Sequence, residues 1–246
     1  MAWEQVRNGF KQAGDTLLSL FYPSHCAACL ADTRSGLALC PDCAAHARRV
    51  SAPFCECCSQ PFSGALDPPF LCRRCTRTRF HFQCAVARYR SSGVVRDFIH
   101  RFKYEGQYYL RYPLARWLAE AWDDPRLQSP PADLLVPVPL HPARRREREF
   151  NQAEVLARLL SRECGVALGL CLRRTRYTST QTRLNRHRRM ENLRGAFRLR
   201  QNWDVQGRHL ILVDDVFTTG STVEECARVL SQAGAGSIRA VTVARA

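Results

Sequence analysis

The sequence predicts an α/β protein: a mostly parallel sheet preceded by a small cysteine-rich domain stapled by metal. Three observations predict it. From residue 84 onward, apolar runs of strand length alternate with helical stretches, the pattern of a parallel sheet covered on both faces. Ten of the 13 cysteines crowd between Cys26 and Cys84. Residues 211–222 pass from an apolar strand through two acids into a loop of small and hydroxyl residues, then into a helix. At about 150 residues per domain, 246 residues allow one large domain or two modest ones. The expected division is 1–83 and 84–246. With 46% hydrophobic and 24% charged residues the composition is globular. That excludes a wholly disordered chain, a collagen-like repeat and a small disulfide mini-protein.

Residues 3–21 are expected to form a helix, with Val6, Phe10, Leu17 and Phe21 near one face and Pro23 as its stop. Few basic residues lie there, which favours packing on the next domain over a membrane surface. The first residues carry Glu4 and Asp15 and lack an apolar h-region and a cleavage site, so they do not read as a signal peptide. No run approaches the roughly 18 apolar residues of a membrane span. The expected location is the cytoplasm, with any contact to the inner face of the membrane made through partners. Thiols there stay reduced, so clustered CxxC pairs read as metal ligands before disulfides.

Residues 24–78 are short of apolar runs and rich in Cys, Pro and Gly, so they need staples. Four CxxC pairs supply them: Cys26/Cys29, Cys40/Cys43, Cys55/Cys58 and Cys72/Cys75. The gaps within the two halves are 10 and 13 residues. Each CxxC turn points two thiolates at one metal, and two turns complete a tetrahedral Zn(Cys)4 site. Two structural Zn2+ ions are expected, because four thiolates leave no open position for water. Sequential pairing of the turns is the default, and interleaved pairing is the alternative. Cys57 could replace Cys58 as a ligand, while Cys84 reads as a buried strand thiol.

Beyond residue 84 the expected strands are 84–90, 133–139, 209–215 and 237–245. The expected helices are 94–106, 109–122, 151–164 and 222–234. The second carries Leu114, Trp117, Leu118 and Ala121 near one face, and the third carries Val155, Leu156, Leu159 and Leu160. Ligands of such sheets bind beyond the carboxyl ends of the strands. Ile211 to Thr222 lies at such an end. Its loop would present backbone N–H groups at a helix N-terminus, a ready anion site. Gly220 allows close approach, and Thr218, Thr219, Ser221 and Thr222 add hydroxyl donors. The pattern suits a monoester phosphate. Asp214 and Asp215 can accept hydrogen bonds from the vicinal hydroxyls of a sugar.

The stretch ILVDDVFTTGST resembles the phosphoribosyl-pyrophosphate (PRPP) motif of type I phosphoribosyltransferases. Residues 136–157 (VPVPLHPARRREREFNQAEVLA) and 181–197 (QTRLNRHRRMENLRGAF) resemble the competence protein F (ComF) branch of that superfamily. The cysteine-rich segment resembles its double zinc ribbon, so the likeness covers nearly the whole chain. It implies the type I phosphoribosyltransferase fold, with a Rossmann-like, mostly parallel sheet. It also implies that Asp214 and Asp215 hold the ribose hydroxyls and that Thr218, Thr219, Gly220, Ser221 and Thr222 wrap the 5′-phosphate. The turn Leu140-His141-Pro142 would line the pyrophosphate, Arg144 and Arg148 would neutralise it, and Asn151 and Gln152 would open the next helix. Mg2+ would accompany PRPP. One position departs from the branch, which usually has glycine where Glu149 stands. A carboxylate beside pyrophosphate is repulsive, so either Glu149 faces solvent or pyrophosphate binding is altered.

The formal net charge is +15, and only Lys11 and Lys103 are lysines among 37 basic residues. Such arginine usage fits either an anionic partner or a GC-rich genome. Placement favours the partner: ten arginines and one acid, Glu191, lie between Arg173 and Arg200. No apolar period runs through that segment, so it reads as a mobile loop or arm. Arg183, Arg186, Arg188 and Arg189 would face nucleic acid or pyrophosphate, and in type I phosphoribosyltransferases a loop at this position closes over substrate.

Two functions follow. The resemblance favours a PRPP-binding protein in the uptake or processing of single-stranded DNA during natural transformation, with a DNA translocase or helicase as a further partner. The other is pentosyl transfer from PRPP in nucleobase or nucleotide salvage. Tyr104, Tyr108 and Tyr109 either stack on bases or pack at a helix start.

Overall fold

The structure is a computed structural model that describes residues 25–33, 38–64, 69–177 and 193–246. The helix expected over 3–21 lies outside the described residues, as do Arg183, Arg186, Arg188 and Arg189. The chain divides into two compact units, Met1–Ala47 and Arg48–Ala246.

In the first unit, Cys26 N–H donates to the Ala31 carbonyl at 2.7 Å and Leu30 N–H to the Cys26 carbonyl at 2.9 Å. Leu30 takes a left-handed φ of 64° to close the turn. Cys40 then caps a short helix, α1 (Pro41–Ala45). The second unit repeats this construction. Cys55 N–H donates to Gln60 at 2.9 Å and Ser59 N–H to Cys55 at 2.8 Å. Ser59 has φ 53°, and Cys72 stands at the start of α2 (Arg73–Arg77).

The rest of the second unit is a five-stranded parallel sheet with the strand order β1-β7-β6-β2-β3. The strands are β1 (Ala85–Arg90), β2 (Leu134–Pro137), β3 (Ala167–Leu168), β6 (His209–Phe217) and β7 (Ser237–Arg245). All residues of β2 and β7 are buried, as central parallel strands require. The larger helices are α3 (Gly93–Tyr104), α4 (Arg111–Trp122), α6 (Gln152–Cys164) and α7 (Ser221–Gln232). Helix α4 packs on α6, β1 and β7, α6 packs on β6 and β2, and α7 packs on β6 and β7. The buried face of α6 uses Ala153, Leu156, Ala157 and Leu160, with Val155 and Leu159 only half-buried. Leu156 and Leu160 of the expected stripe are thus buried, and Ala153 and Ala157 complete the face.

Besides the short β3, which no expected strand covers, three features depart from the expectations. Strand β6 runs on to Phe217, because its last residues stay in register with Thr242, Ala244 and Arg245 of β7. A helix α5 (Pro142–Arg148) follows the Leu140-His141 turn. The arginine-dense segment is not a loop throughout. Its ends pair as a two-stranded antiparallel ribbon, β4 (Leu172–Arg174) with β5 (Phe197–Leu199), anchored by the buried Leu172 and Phe197.

The outer edge of β1 is covered. Ala85 N–H donates to the Cys57 carbonyl, Val50 N–H to Arg88, and Arg90 N–H to Arg48, each at 2.8 Å. The second cysteine-rich segment therefore closes an edge that would otherwise leave backbone groups open to another chain. Among the described residues, no helix is long and apolar enough to cross a membrane.

Candidate functional site

Two cysteine tetrads form, Cys26/Cys29/Cys40/Cys43 and Cys55/Cys58/Cys72/Cys75, each with its sulfurs within 4.8 Å of one another. A tetrahedral ion with Zn–S bonds of about 2.3 Å spaces its sulfurs about 3.8 Å apart. The Cys29–Cys40 sulfurs are 3.7 Å apart and the Cys58–Cys72 sulfurs 3.8 Å. Backbone N–H groups of Cys43 and Cys72 point at the sulfurs of Cys40 and Cys55 at 3.4 and 3.3 Å. A hydrogen bond from the Cys58 thiol pulls Cys55 down to about 4. Burial opposes ionisation of Cys26, yet backbone N–H groups led by that of Cys29 bring it to about 6. Both tetrads are thus consistent with zinc-ribbon sites. The pairing is sequential, and Cys58 joins its tetrad while Cys57 does not. Cys84 is buried just before β1, with its thiol donating to the Arg126 carbonyl at 3.6 Å.

At the carboxyl end of β6, Asp214 and Asp215 project to opposite faces of the strand. Asp215 N–H donates to Asp214 Oδ1 at 2.9 Å. The Asp215 carboxylate is ion-paired with Lys103 in the last turn of α3. Burial alone would raise the Asp215 pKa, but the Lys103 ammonium outweighs it and holds the group below the usual carboxylate range. Burial, and then the charge of Asp215, push Asp214 up to about 8. Near neutral pH the pair carries one negative charge and one proton.

The loop after β6 turns on Gly220, whose φ is 69°. A Cβ there would lie 2.4 Å from the Phe217 ring, so both the backbone and the space demand glycine. Thr219 Oγ1 and Ser221 Oγ are 2.9 Å apart. Asp214, Thr218, Gly220, Ser221 and Thr222 line one cavity of about 20 Å³. Thr219 is tied instead to the second ribbon, its carbonyl accepting a hydrogen bond from Arg74.

Across the sheet, His141 Nδ1 accepts from Ala143 N–H at 3.2 Å and caps α5. Arg144 is buried, 5.7 Å from the Tyr177 ring. Arg148 lies 4.6 Å over Tyr104 and donates to Gln152 Oε1 at 3.3 Å. Asn151 caps α6 and donates to the Val138 carbonyl at 3.1 Å, locking the turn to the helix. Glu149 is exposed and has φ 66° at the end of α5. Glycine enters that region most cheaply, which explains the usual glycine here, and the Glu149 side chain faces solvent. Tyr108 packs on Phe150 at 5.0 Å, and the Tyr109 hydroxyl accepts from Arg101 at 3.0 Å.

Sequence reasoning missed Lys103, Arg74 and Arg174. Lys103 had a signal, being one of two lysines among 37 basic residues. Arg174 is 5.3 Å from the Phe197 ring, and burial, then the like charge of Arg144, lower its pKa. A further cavity of about 500 Å³ is lined by Arg145, Arg158, Arg173, Arg174 and Arg200 together with Glu154. A neighbouring cavity of about 350 Å³ shares Arg173 and Arg200 and reaches Trp203.

The double zinc ribbon domain family matches residues 17–76, and the phosphoribosyl transferase domain family matches residues 151–246. The DNA utilization protein YhgH of Escherichia coli (strain K12) is 34% identical over 227 residues, 90% of each chain. Competence protein F of Haemophilus influenzae is 37% identical over 154 residues, 60% of this chain and 66% of that one. Competence protein ComFC of Bacillus subtilis is 26% identical over 84% of each chain. Among solved structures, a purine phosphoribosyltransferase from Pyrococcus horikoshii is 17% identical, with a TM-score of 0.34 over 54% of this chain and 71% of that one. With a zinc-ribbon segment, a phosphoribosyl transferase domain and relatives matched over most of the chain, the chain belongs to the ComF family.

Proposed function

We propose that this protein binds PRPP, accompanied by Mg2+, at the carboxyl end of β6 and acts on single-stranded DNA during its uptake or processing. The observation that carries the reading is the shared cavity of Asp214, Thr218, Gly220, Ser221 and Thr222 at the start of a full-length helix. Helix N-termini attract phosphate through free N–H groups and the dipole. That cavity has room for about one water-sized group, so the loop widens to take a phosphate. Asp215, ionised against Lys103, accepts from a ribose hydroxyl. Asp214, protonated near neutral pH, can donate to one. Arg144 and Arg148 neutralise the pyrophosphate. When bound, Mg2+ offsets pyrophosphate charge and makes it a better leaving group.

The names of the relatives, Competence protein F and DNA utilization protein, support the DNA half of the reading. The cavities rimmed by Arg145, Arg158, Arg173 and Arg200 and ending at Trp203 suit a strand whose phosphates meet arginine and whose bases stack on indole. A DNA translocase or helicase is the further partner, and the cytoplasm the place of work, with the inner face of the membrane reached through such partners.

Calorimetry with PRPP and Mg2+ tests the ligand. Binding is expected in the wild type and lost in the Asp214→Asn, Asp215→Asn double variant; no binding in the wild type refutes it. Exchange of labelled pyrophosphate into PRPP, without any oligonucleotide binding, would instead make the protein a salvage enzyme. For DNA, affinity should fall steeply as salt rises, and a flat response refutes that half.

A further inference from the structure

We propose that the second cysteine tetrad controls the phosphate loop through Arg74. Metal held by Cys55, Cys58, Cys72 and Cys75 sets the Arg74 guanidinium against the Thr219 carbonyl, and the loop takes a phosphate monoester well only when that contact is made. The ligand half of this inference rests on the reading of the loop as a phosphate site.

Sequence marks the knuckle out. The residues between paired cysteines are Ala27-Ala28, Pro41-Asp42, Glu56-Cys57 and Arg73-Arg74. Only the last pair is basic. Arg73 is exposed, whereas Arg74 is half-buried and donates to the Thr219 carbonyl. In a trans peptide the C=O and the following N–H point opposite ways. Fixing the Thr219 carbonyl toward Arg74 therefore turns the Gly220 N–H away from the ribbon. One contact sets the direction of a loop donor.

An aromatic ladder runs beside that contact. The Arg74 guanidinium lies 5.2 Å from the Phe80 ring. Phe80 stacks on Phe82 at 4.7 Å, and Phe82 meets Phe217 edge-on at 6.0 Å. The Phe217 ring fills the space where a side chain on residue 220 would go. Two polar ties reinforce it. The His81 N–H donates to Glu224, in the first turn of α7, at 3.0 Å. Arg245 bridges the Cys58 and Phe217 carbonyls at 3.1 Å each.

Charge gives the arrangement a reason. Four thiolates around Zn2+ leave a net negative centre, which would repel a phosphate dianion at the loop. Arg74 stands between the two and offsets it. Helix α2 has five residues, too few to persist without a staple. Loss of the metal releases α2, and Arg74 with it.

The test uses the full-length, zinc-loaded chain and two readouts: hydrogen exchange of the residue 218–222 amides, and calorimetry with ribose 5-phosphate. A hydrogen bond from a charged donor carries about a tenfold effect or more. Arg74→Met should therefore speed exchange and weaken ribose 5-phosphate by about that factor while zinc content stays at the wild-type value. Arg73→Met, which removes the same charge from the exposed neighbour, should change neither. Cys75→Ser, or the wild type stripped of zinc by a chelator should the variant fail to fold, should reproduce the Arg74→Met exchange, and wild-type exchange there overturns control by the tetrad. Wild-type exchange and affinity in Arg74→Met overturn the proposal, and so does an equal loss in Arg73→Met. If the wild type binds no ribose 5-phosphate but Arg74→Met still loosens the loop, the phosphate reading falls while the ribbon-to-loop coupling stands.

Discussion

Lys103 reaches from the last turn of α3 to the buried Asp215 carboxylate at the end of β6. Removing one partner of a buried pair leaves a stranded charge, at a cost of about 3–5 kcal/mol. Each kcal/mol moves the melting temperature of a domain this size by about 2–4 °C. Lys103→Met should therefore lower Tm by roughly 6–20 °C at pH 7. Adding Asp215→Asn should recover most of the loss. Unchanged melting in Lys103→Met would show that the ion pair does not hold in solution.

Asp214 sets a pH dependence. Folding raises its pKa to about 8, so the native chain keeps a proton that the unfolded chain releases. The stability tied to that proton is complete below the ordinary carboxylate range, about pH 4, and is lost as pH rises through about 8. Asp215 is lowered instead, so its contribution disappears only in acid, outside this window. Asp214→Asn should gain in Tm relative to the wild type from pH 5 to pH 9. A pH-independent difference between the two proteins contradicts the assignment.

Glu149 occupies left-handed backbone at φ 66° with its side chain exposed. A non-glycine residue pays about 1–2 kcal/mol there. Glu149→Gly should raise Tm by about 2–4 °C or more, partly offset by the greater freedom of glycine in the unfolded chain. A fall in Tm would mean that Glu149 makes a contact worth more than the strain.

Cys57 and Cys58 are adjacent, but only Cys58 lies in a tetrad. Zinc released on denaturation, read with a chromophoric chelator, should be about two per chain in the wild type and in Cys57→Ser. In Cys58→Ser it should drop toward about one. Loss of zinc in Cys57→Ser and not in Cys58→Ser would reverse the ligand assignment.

Much of the fold was legible because its signals are local. Strand β7 coincides with the expected 237–245, and α3 and α6 begin and end within a few residues of their apolar periods. What escaped was short or distant. Strand β3 has two residues and β4 and β5 three each, too few for any period to show. Helix α5, with the sequence PARRRER, has no apolar face and is started by its cap His141. Lys103 and Arg74 act on Asp215 and Thr219, far away in the chain.

By itself the sequence determined the α/β class, the two sets of metal-binding turns and the loop from Asp214 to Thr222. Each of these is written in neighbours: cysteine spacing, apolar alternation, a glycine among hydroxyls. Tertiary structure alone decided which cysteines stand together in a tetrad, which of the two acids meets Lys103, and what the arginines do. Arg239 is fully buried and donates to the Leu127 and Pro130 carbonyls at 2.6 Å each. Arg126 binds the Glu56 carbonyl at 2.8 Å, and Arg245 closes the ribbon against β6. Part of a charge excess that suggested an anionic partner is thus spent on backbone carbonyls in the core. The reason is that a guanidinium's partner depends on which groups the fold brings within about 3 Å, and that distance is not a property of sequence neighbours.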